Sequence, residues 1–205
     1  MSQIFIKKCS QNDIKEFSNI MLEAFHDKYS NFFKGVHPAK YRKIVSDLNN
    51  LEIHSNNNLG KFVLCNENKC VGAIEIYNTR KKLLIIPAVK IMLKYLGVFL
   101  TIKIGLMLLG FGPPIFFPKN TIYIDKVGVK KDFRGKGFGK NLMKFALKIA
   151  EKNRYQNVML EVVKKNYRAI NLYKKLGFQI IKTTKTKLGE IFVGVTEYHL
   201  MKKML

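Results

Sequence analysis

The stretch that decides the fold is VGVKKDFRGKGFGK, residues 127–140. It begins as a short apolar strand, passes through a turn with glycine at 135, 137 and 139, and continues into an amphipathic helix. Alternate glycines let consecutive backbone N–H groups turn towards one point, and the first turn of the helix adds its positive dipole end. The stretch therefore predicts a strand, a loop and a helix that together bind a phosphate group.

The spacing of the glycines excludes two common phosphate-binding loops. A P-loop needs glycine at position 134 and serine or threonine at 141, where the chain has Arg134 and Asn141. A dinucleotide fingerprint starting at Gly135 needs glycine at 140, where the chain has Lys140, and it belongs after the first strand of a βαβ unit. The turn therefore belongs to another class of phosphate-binding loop.

Two motifs in this chain resemble those of one enzyme family. Arg134-x-x-Gly137-x-Gly139 resembles the pyrophosphate loop of the GCN5-related N-acetyltransferases, written R/Q-x-x-G-x-G/A. Residues 166–178 resemble the family's second half-motif, N-x-x-A-x-x-x-Y-x-x-x-G-F. Its fixed positions hold Asn166, Ala169, Tyr173, Gly177 and Phe178. Two spaced motifs in the right order are more specific than either alone, and the resemblance is close over residues 121–180.

The length of 205 residues and the hydrophobic share of 47% suit one globular domain, residues 1–205. The resemblance implies an α/β (α+β) fold with a mixed, mostly antiparallel sheet of about seven strands flanked by helices. We predict strands at 3–8, 61–65, 70–77, from 121 into the glycine loop, 157–163, 178–187 and 191–201. We predict helices at about 12–25, 38–48, from the loop to 153, and 167–176, with a loop at 49–60.

Residues 83–118 form an apolar insertion before the fourth strand. Lys90, Lys94 and Lys103 interrupt it, and its longest uncharged run, 104–118, has 15 residues. This run is shorter than the ~18 apolar residues that a membrane-spanning helix needs. We expect helical pieces that cover the sheet and wall the acceptor pocket. The alternatives are a basic helix resting on a membrane and a surface that binds a partner protein.

The formal net charge of +23 has three explanations. A basic patch for nucleic acid or for an anionic membrane would concentrate the charge, whereas these lysines are spread along the chain with many asparagines and isoleucines. An AT-rich genome produces the same mixture, and we favour this explanation, so no specific nucleic-acid partner is expected. The excess charge still favours an anionic cofactor and disfavours strongly cationic acceptors such as polyamines.

The cysteines and histidines are not spaced as metal ligands, so no metal is expected. Cys65 and Cys70 can face each other across a hairpin, but we favour packed free thiols for these two and for Cys9. With no signal peptide at its N-terminus, the chain is predicted to be cytoplasmic. A monomer and a homodimer both remain open.

The family resemblance implies that acetyl-CoA is the donor and that a primary amine of a small molecule, peptide or protein attacks it directly in a ternary complex. The donor-binding residues that it implies are Val127, Gly128 and Val129 along the pantetheine, the loop residues Arg134, Gly135, Lys136, Gly137, Phe138, Gly139 and Lys140 around the pyrophosphate, and Asn166 and Tyr173. We expect a backbone amide near Val127 to polarise the thioester oxygen, a contribution of ~3 kcal/mol.

Tyr173 is the predicted general acid, because the family keeps a tyrosine there with its hydroxyl near the CoA sulfur. The alternative for Tyr173 is an aromatic anchor of its helix, and the alternative for Asn166 is a helix cap. The base has three candidates, Asp125, Glu75 and Glu161. We favour Asp125, which by alternation shares a strand face with Val127 and Val129. Its alternative role is an ion pair with a lysine.

A second function of another class is also compatible with this composition. A protein that keeps the CoA-binding fold can use its basic surface to contact nucleic acid or an anionic membrane without catalysing a reaction. Salt-dependent association without thiol release would distinguish this binding module from an enzyme.

Overall fold

The computed structural model describes residues 4–53, 58–67, 69–78, 85–109, 118–186, 194–195 and 197–205. Among these residues, seven strands form one sheet in the order β1-β2-β3-β4-β5-β7-β6. The strands are β1 (Ile4–Lys8), β2 (Asn58–Asn66), β3 (Lys69–Tyr77), β4 (Thr121–Val129), β5 (Asn157–Val163), β6 (Gln179–Lys185) and β7 (Glu197–Met204). Only β4 and β5 pair in parallel, and the other neighbours are antiparallel. The predicted mixed, mostly antiparallel sheet is confirmed.

Helices cover both faces of this sheet. They are α1 (Ile14–Ala24), α2 (His26–Phe32), α3 (Pro38–Ile53), α4 (Ile85–Leu109), α5 (Phe138–Lys152) and α6 (Tyr167–Lys175). The main core lies between the sheet and α5 with α6. On the other face, α1 packs directly on the sheet, and α3 with α4 forms a further apolar cluster. The predicted apolar helix before β4 is confirmed as α4.

The amphipathic sequence of α5 explains its position. Its buried side chains recur at three- and four-residue intervals: Phe138, Leu142, Met143, Ala146, Leu147 and Ala150. Lysines occupy the opposite side, where Lys140, Lys144 and Lys148 are exposed. Because each large apolar side chain gains about 1.5–3 kcal/mol on full burial, this stripe holds the helix that follows the glycine loop firmly against the sheet.

The structure differs from the predicted elements at three places. The seven-residue helix α2 was not predicted, because it buries no side chain completely and so has a weak periodic signal. The predicted loop 49–60 was wrong in part, since α3 continues to Ile53 and β2 begins at Asn58. The last strand lies at Glu197–Met204 rather than 191–201. Of the predicted segments, residues 3, 54–57, 187, 191–193 and 196 lie outside the described residues, as do 83–84 and 110–117 of the insertion.

The extension of α3 has a tertiary cause. Asn49 is buried, and its side-chain Nδ2 donates a hydrogen bond of 2.9 Å to Ser18 Oγ on α1. Asparagine favours helix ends and loops because its side chain competes for backbone groups. Here the partner on α1 satisfies that side chain, so the helix passes through a stretch that the sequence alone assigns to a loop.

The prediction of free thiols in the hairpin was wrong. Cys65 and Cys70 are paired residues of β2 and β3, and they form a disulfide with a Cα–Cα distance of 3.9 Å. Antiparallel pairing brings the two side chains to the same face of the hairpin end. Cys9 is a free, buried thiol, and burial, reinforced by the nearby Asp13 carboxylate, raises its pKa to about 12.

Gly128 lets α1 approach β4 closely. A Cβ at this position would lie 2.8 Å from Ala24 Cβ and 3.3 Å from Met21 Sδ. We therefore expect Gly128→Ala to lower the free energy of unfolding by about 1–3 kcal/mol, because α1 must move away from the sheet. Urea denaturation followed by circular dichroism measures this change. Gly105→Ala, in α4 with nothing within 4 Å of the added Cβ, is the control and should not destabilise.

Candidate active site

An open cleft runs along the carboxyl end of β4. Its volume is about 1050 Å³, which suits a ligand of nucleotide size. One wall comes from α1 and α2, and the other comes from the segments that follow β4 and β5. Its lining includes Glu23, Lys28, Lys130, Arg134, Lys165 and Asn166. The predicted loop and the predicted helix cap are thereby brought together at one cleft.

The sheet opens beside this cleft. β4 pairs with β5 only over 121–124, opposite 157–160, and beyond that point β5 pairs with β7 alone. The remainder of β4, residues 126–129, keeps its pairing with β3. Its other edge has no strand partner among the described residues. Such an edge offers backbone groups to an extended ligand that adds to the sheet as a further strand.

A β-bulge changes the direction of Asp125. Ile124 pairs with Ile76 and Lys126 pairs with Glu75, so Asp125 is an extra residue between two ladder positions. Ile124 packs in the main core on the α5 side, and Val127 and Val129 also pack against that core. The predicted shared face of Asp125, Val127 and Val129 was therefore wrong. The bulge places Asp125 on the α1 and α2 side, with its Oδ2 3.4 Å from Lys126 Nζ.

The glycine loop has the geometry of an anion cradle. Gly135 and Gly137 both have φ of 85°, a left-handed conformation that favours glycine. A Cβ at Gly137 would meet nothing within 4 Å, so the space above the loop is open. Helix α5 begins at the next residue, Phe138, and has no side-chain cap. The first N–H groups of α5 and its dipole are therefore available to an anion.

Basic side chains surround the loop in roles that the sequence predicted only in part. Arg134 Nε donates a hydrogen bond of 3.0 Å to the Val129 carbonyl and so ties the loop to the end of β4. Lys136 Nζ lies 5.2 Å from the centre of the Phe133 ring. Lys165 lines the cleft, and Arg168 Nη2 lies 3.4 Å from the position of a Cβ on Gly135. Sequence reasoning missed Lys165 and Arg168, although Lys165 directly precedes the Asn166 motif and Arg168 lies within it.

The second motif lies at the start and middle of α6. Asn166 Oδ1 accepts a hydrogen bond of 3.2 Å from the Ala169 N–H, so Asn166 caps α6, which is one of the two roles predicted for it. Tyr173 is 9% exposed and packs near Phe178, with ring centres 6.1 Å apart. Burial raises the pKa of Tyr173 to about 12. Its phenol is therefore protonated at neutral pH, as a general acid must be.

The three candidate bases have different environments. Glu75 is completely buried on β3, where it forms ion pairs with Lys61 and, at 3.0 Å, with Lys126. Lys61 is itself buried, and this arrangement supports a structural role for Glu75. Asp125 and Glu161 instead lie where β4 and β5 begin to part, and the charges of both act on Lys28, which lines the cleft.

Glu161 interacts with Tyr123 across the two strands. The Tyr123 hydroxyl donates a hydrogen bond of 3.2 Å to Glu161 Oε2. Partial burial raises the pKa of Glu161, and the hydrogen bond from Tyr123 and the charge of Lys28 offset part of this rise. Because the carboxylate is also reached by solvent, water screens these effects. Burial together with the charges of Glu161 and Asp125 raises the pKa of Tyr123.

Lys28 is a site residue that sequence reasoning missed. It lies on α2 and lines both the cleft and a second cavity of about 280 Å³. Enclosure by the cleft walls lowers the pKa of Lys28, and the negative charge of Asp125 raises it again in part. Its side chain is nevertheless in contact with solvent, so we take the lowering as smaller than full burial would cause. No sequence signal identified Lys28, because α2 itself was not predicted.

The second cavity is mostly apolar. Its lining is Tyr29, Phe32, Phe33, Val45, Leu48, Asn49 and Met92, with Lys28 and Lys126 at one side. Met92 belongs to α4, so the apolar insertion walls a pocket that adjoins the Asp125 region. Within the described part of the chain, no group of three His, Cys, Asp or Glu side chains could hold a metal ion.

Comparison with known proteins agrees with this architecture. The family model described as "Acetyltransferase (GNAT) family" matches residues 22–178. A segment of 85 residues is 33% identical to an N-alpha-acetyltransferase 50 of Danio rerio. This segment makes up 41% of this chain and 49% of that protein. The curated relatives that the chain matches are covered over less than half of their own length.

Solved structures share the fold over the whole chain. A structure described as histone acetyltransferase HPA2 and related acetyltransferase, from Corynebacterium glutamicum, has a TM-score of 0.66 at 19% identity and covers 99% of this chain and 96% of that one. The PaiA N-acetyltransferase of Thermoplasma acidophilum, in complex with coenzyme A, has a TM-score of 0.59 at 16% identity and covers 99% of both chains.

Proposed function

Because the chain belongs to the acetyltransferase (GNAT) family, we propose that it transfers the acetyl group of acetyl-CoA to a primary amine by direct attack in a ternary complex. The observation that carries this proposal is the parting of β4 and β5, which leads from the glycine loop to the Asp125 and Glu161 carboxylates. One open edge thus connects a phosphate cradle with groups that can accept a proton.

The chain offers separate groups for the two ends of the donor. Backbone N–H groups of residues 135–140, with Arg134, Lys165 and Arg168 nearby, would hold the pyrophosphate. The open edge of β4 at 127–129 would bind the pantetheine arm through its backbone. A β4 amide near Val127 would donate to the thioester oxygen as negative charge develops there, worth about 3 kcal/mol.

The reaction needs one proton acceptor and one proton donor. The amine nitrogen forms a bond with the thioester carbonyl carbon, and the carbon–sulfur bond breaks. Asp125 or Glu161 takes the amine proton, directly or through water, and the Tyr173 phenol donates its proton to the departing thiolate. We assign Glu75 to structure, since Lys61 and Lys126 already pair with its buried carboxylate.

The second cavity supports an acceptor with an apolar body. Aromatic and aliphatic side chains from α2, α3 and α4 form its walls. Lys28 and Lys126 line this cavity, and Lys126 Nζ lies 3.4 Å from Asp125 Oδ2, so an acceptor with several positive charges would be repelled. We therefore propose a small molecule, peptide or protein segment that presents one amine beside an apolar group, rather than a polyamine.

Release of free CoA thiol from acetyl-CoA tests the proposed function. The panel of acceptors contains amines with apolar and with multiply charged bodies, including spermine. We expect thiol release with at least one apolar amine and an acetylated product by mass spectrometry. Absence of thiol release with the whole panel, together with salt-dependent binding to DNA, RNA or vesicles, would instead favour the binding module.

Removal of each carboxylate should show which one is the base. We expect Asp125→Asn or Glu161→Gln to lower turnover by roughly 100-fold or more at the true base, with donor affinity retained. A base works when deprotonated, so activity should rise as pH increases through its pKa. If Glu161 is the base, this rise lies above the ordinary glutamate range, because its pKa is raised. If both variants keep the turnover and the pH profile of the unchanged chain, neither Asp125 nor Glu161 is the base.

A further inference from the structure

Helix α4 uses one side to pack on the rest of the protein. Ile91, Met92, Tyr95, Leu96 and Ile104 contact the cluster formed with α3. The Tyr95 hydroxyl donates a hydrogen bond of 2.9 Å to Asp47 Oδ2 on α3, which fixes the orientation of the helix. The opposite side of α4 therefore faces away from the rest of the protein.

The outward side of α4 carries most of the exposed apolar surface. Of the fifteen large apolar side chains that are exposed among the described residues, eight lie on α4. They are Ile85, Ile86, Val89, Leu93, Val98, Phe99, Ile102 and Leu106, and we call them the outer stripe. Phe99 is 80% exposed and Ile86 is 71% exposed. A patch of this kind marks an interaction surface rather than scattered surface residues.

Lysines flank the outer stripe in a regular way. Lys90, Lys94 and Lys103 are exposed, and each directly follows a stripe residue, Val89, Leu93 or Ile102. One residue along a helix is a rotation of about 100°, so the three lysines lie along the same flank of the stripe within their helical pieces. Residues 85–109 contain no aspartate or glutamate. This side of α4 is therefore apolar at its centre and positive at its edge.

The shape of α4 favours lying on a membrane over crossing it. Among the described residues, one segment, Ile85–Leu106, is long and apolar enough to cross a membrane by length and composition. This segment was not predicted from the sequence, because only the uncharged run 104–118 was considered there. Gly97, however, has φ of 73° and ψ of 179° and divides the helix into two pieces, 85–96 and 98–109. Each piece is about 18 Å long, whereas the hydrocarbon core is about 30 Å thick.

We propose that the outer stripe of α4 docks on the surface of an anionic phospholipid bilayer. The apolar side chains would enter the boundary between headgroups and acyl chains, and the flanking lysines would reach the phosphates. The net charge of +23 attracts the whole chain to such a surface. A second copy of the chain fits less well, because a symmetric interface would bring the same lysines together.

Flotation with phospholipid vesicles tests the proposal without depending on enzyme activity. The full chain is mixed with vesicles of phosphatidylcholine and phosphatidylglycerol, or of phosphatidylcholine alone. We expect flotation with the anionic vesicles and little with the neutral ones. The variant Phe99→Ser with Ile102→Ser should weaken the partition by roughly 10-fold or more, and Lys90→Glu with Lys94→Glu and Lys103→Glu by roughly 100-fold or more.

Matched variants separate the outer stripe from net charge and from general apolar surface. Lys144→Glu, Lys148→Glu and Lys152→Glu make the same charge change on α5, and Ile180→Ser with Ile181→Ser removes two exposed isoleucines of β6. Both control proteins should float nearly as well as the unchanged chain. Thermal unfolding by circular dichroism confirms that each variant is folded.

Three results would overturn the proposal. One is absence of flotation with anionic vesicles, and another is an equal loss in the α4 and α5 charge variants, which would make net charge the only cause. The third is a dimer in analytical ultracentrifugation that Phe99→Ser with Ile102→Ser dissociates, since the outer stripe would then contact a second copy. None of these results depends on acetyl transfer, so this proposal and the proposed function can fail separately.

Discussion

Replacing Gly137 with glutamate should weaken acetyl-CoA binding by roughly 100-fold or more, because repulsion replaces charge-assisted hydrogen bonds. The backbone at Gly137 has φ of 85°, and a Cβ there meets nothing within 4 Å. The new side chain therefore has room, but its carboxylate occupies the space in which the first N–H groups of α5 would bind pyrophosphate. Isothermal titration calorimetry with acetyl-CoA measures the change.

Gly35 supplies a matched control for this experiment. It also has φ of 85° and nothing within 4 Å of an added Cβ, but it lies between α2 and α3 and does not line the cleft. Gly35→Glu therefore introduces the same charge and the same backbone strain, about 1–2 kcal/mol. Donor affinity should be unchanged in Gly35→Glu. If both variants bind acetyl-CoA as tightly as the unchanged chain, the glycine loop is not the pyrophosphate site.

The second large effect is expected at Tyr173. Tyr173→Phe removes one hydroxyl from a side chain that is 9% exposed and packed in the main core, so the fold should be retained. Without a proton donor for the departing thiolate, turnover should fall by roughly 100-fold or more. Acetyl-CoA affinity should change little. Steady-state kinetics with a thiol-detecting reagent, together with calorimetry, separates these two quantities.

Tyr155→Phe is the control for Tyr173→Phe. Tyr155 also packs against the main core but lies between α5 and β5, so loss of its hydroxyl should not affect turnover.

Burial raises the pKa of Tyr173 to about 12, and an acid loses activity only as pH rises through its pKa. Tyr173 should therefore cause no alkaline loss of activity near pH 9. Unchanged turnover in Tyr173→Phe would show that another group, or water, protonates the thiolate.

The parts of the site that were predictable are those encoded by a local spacing. Gly135 and Gly137 were expected to adopt a special backbone conformation, and both have positive φ. Asn166 was given two roles, and its cap of α6 is present. These features depend on dihedral angles and hydrogen bonds within a few residues of the chain, so a single stretch of sequence contains the whole interaction.

The parts that were not predictable depend on contacts between distant segments. Alternation along β4 placed Asp125 with Val127, but the register with β3 inserts a bulge that turns its side chain to the other face. Lys28 reaches the cleft only because α2 folds beside β4. The ion pairs of Glu75 join β2, β3 and β4. None of these pairings has a signal within its own segment.

The chain by itself determined the succession of strands along the sequence, the phosphate-binding turn, the capped helix that carries Tyr173 and the family to which these motifs point. Those features follow from backbone conformations and side-chain periodicities that act over one or two turns. The tertiary structure alone decided the face on which Asp125 lies, the approach of Lys28 and Glu161 to the opening between β4 and β5, and the side of α4 that remains exposed. The register between strands and the docking of helices depend on contacts throughout the core. No short stretch of sequence contains all of those contacts.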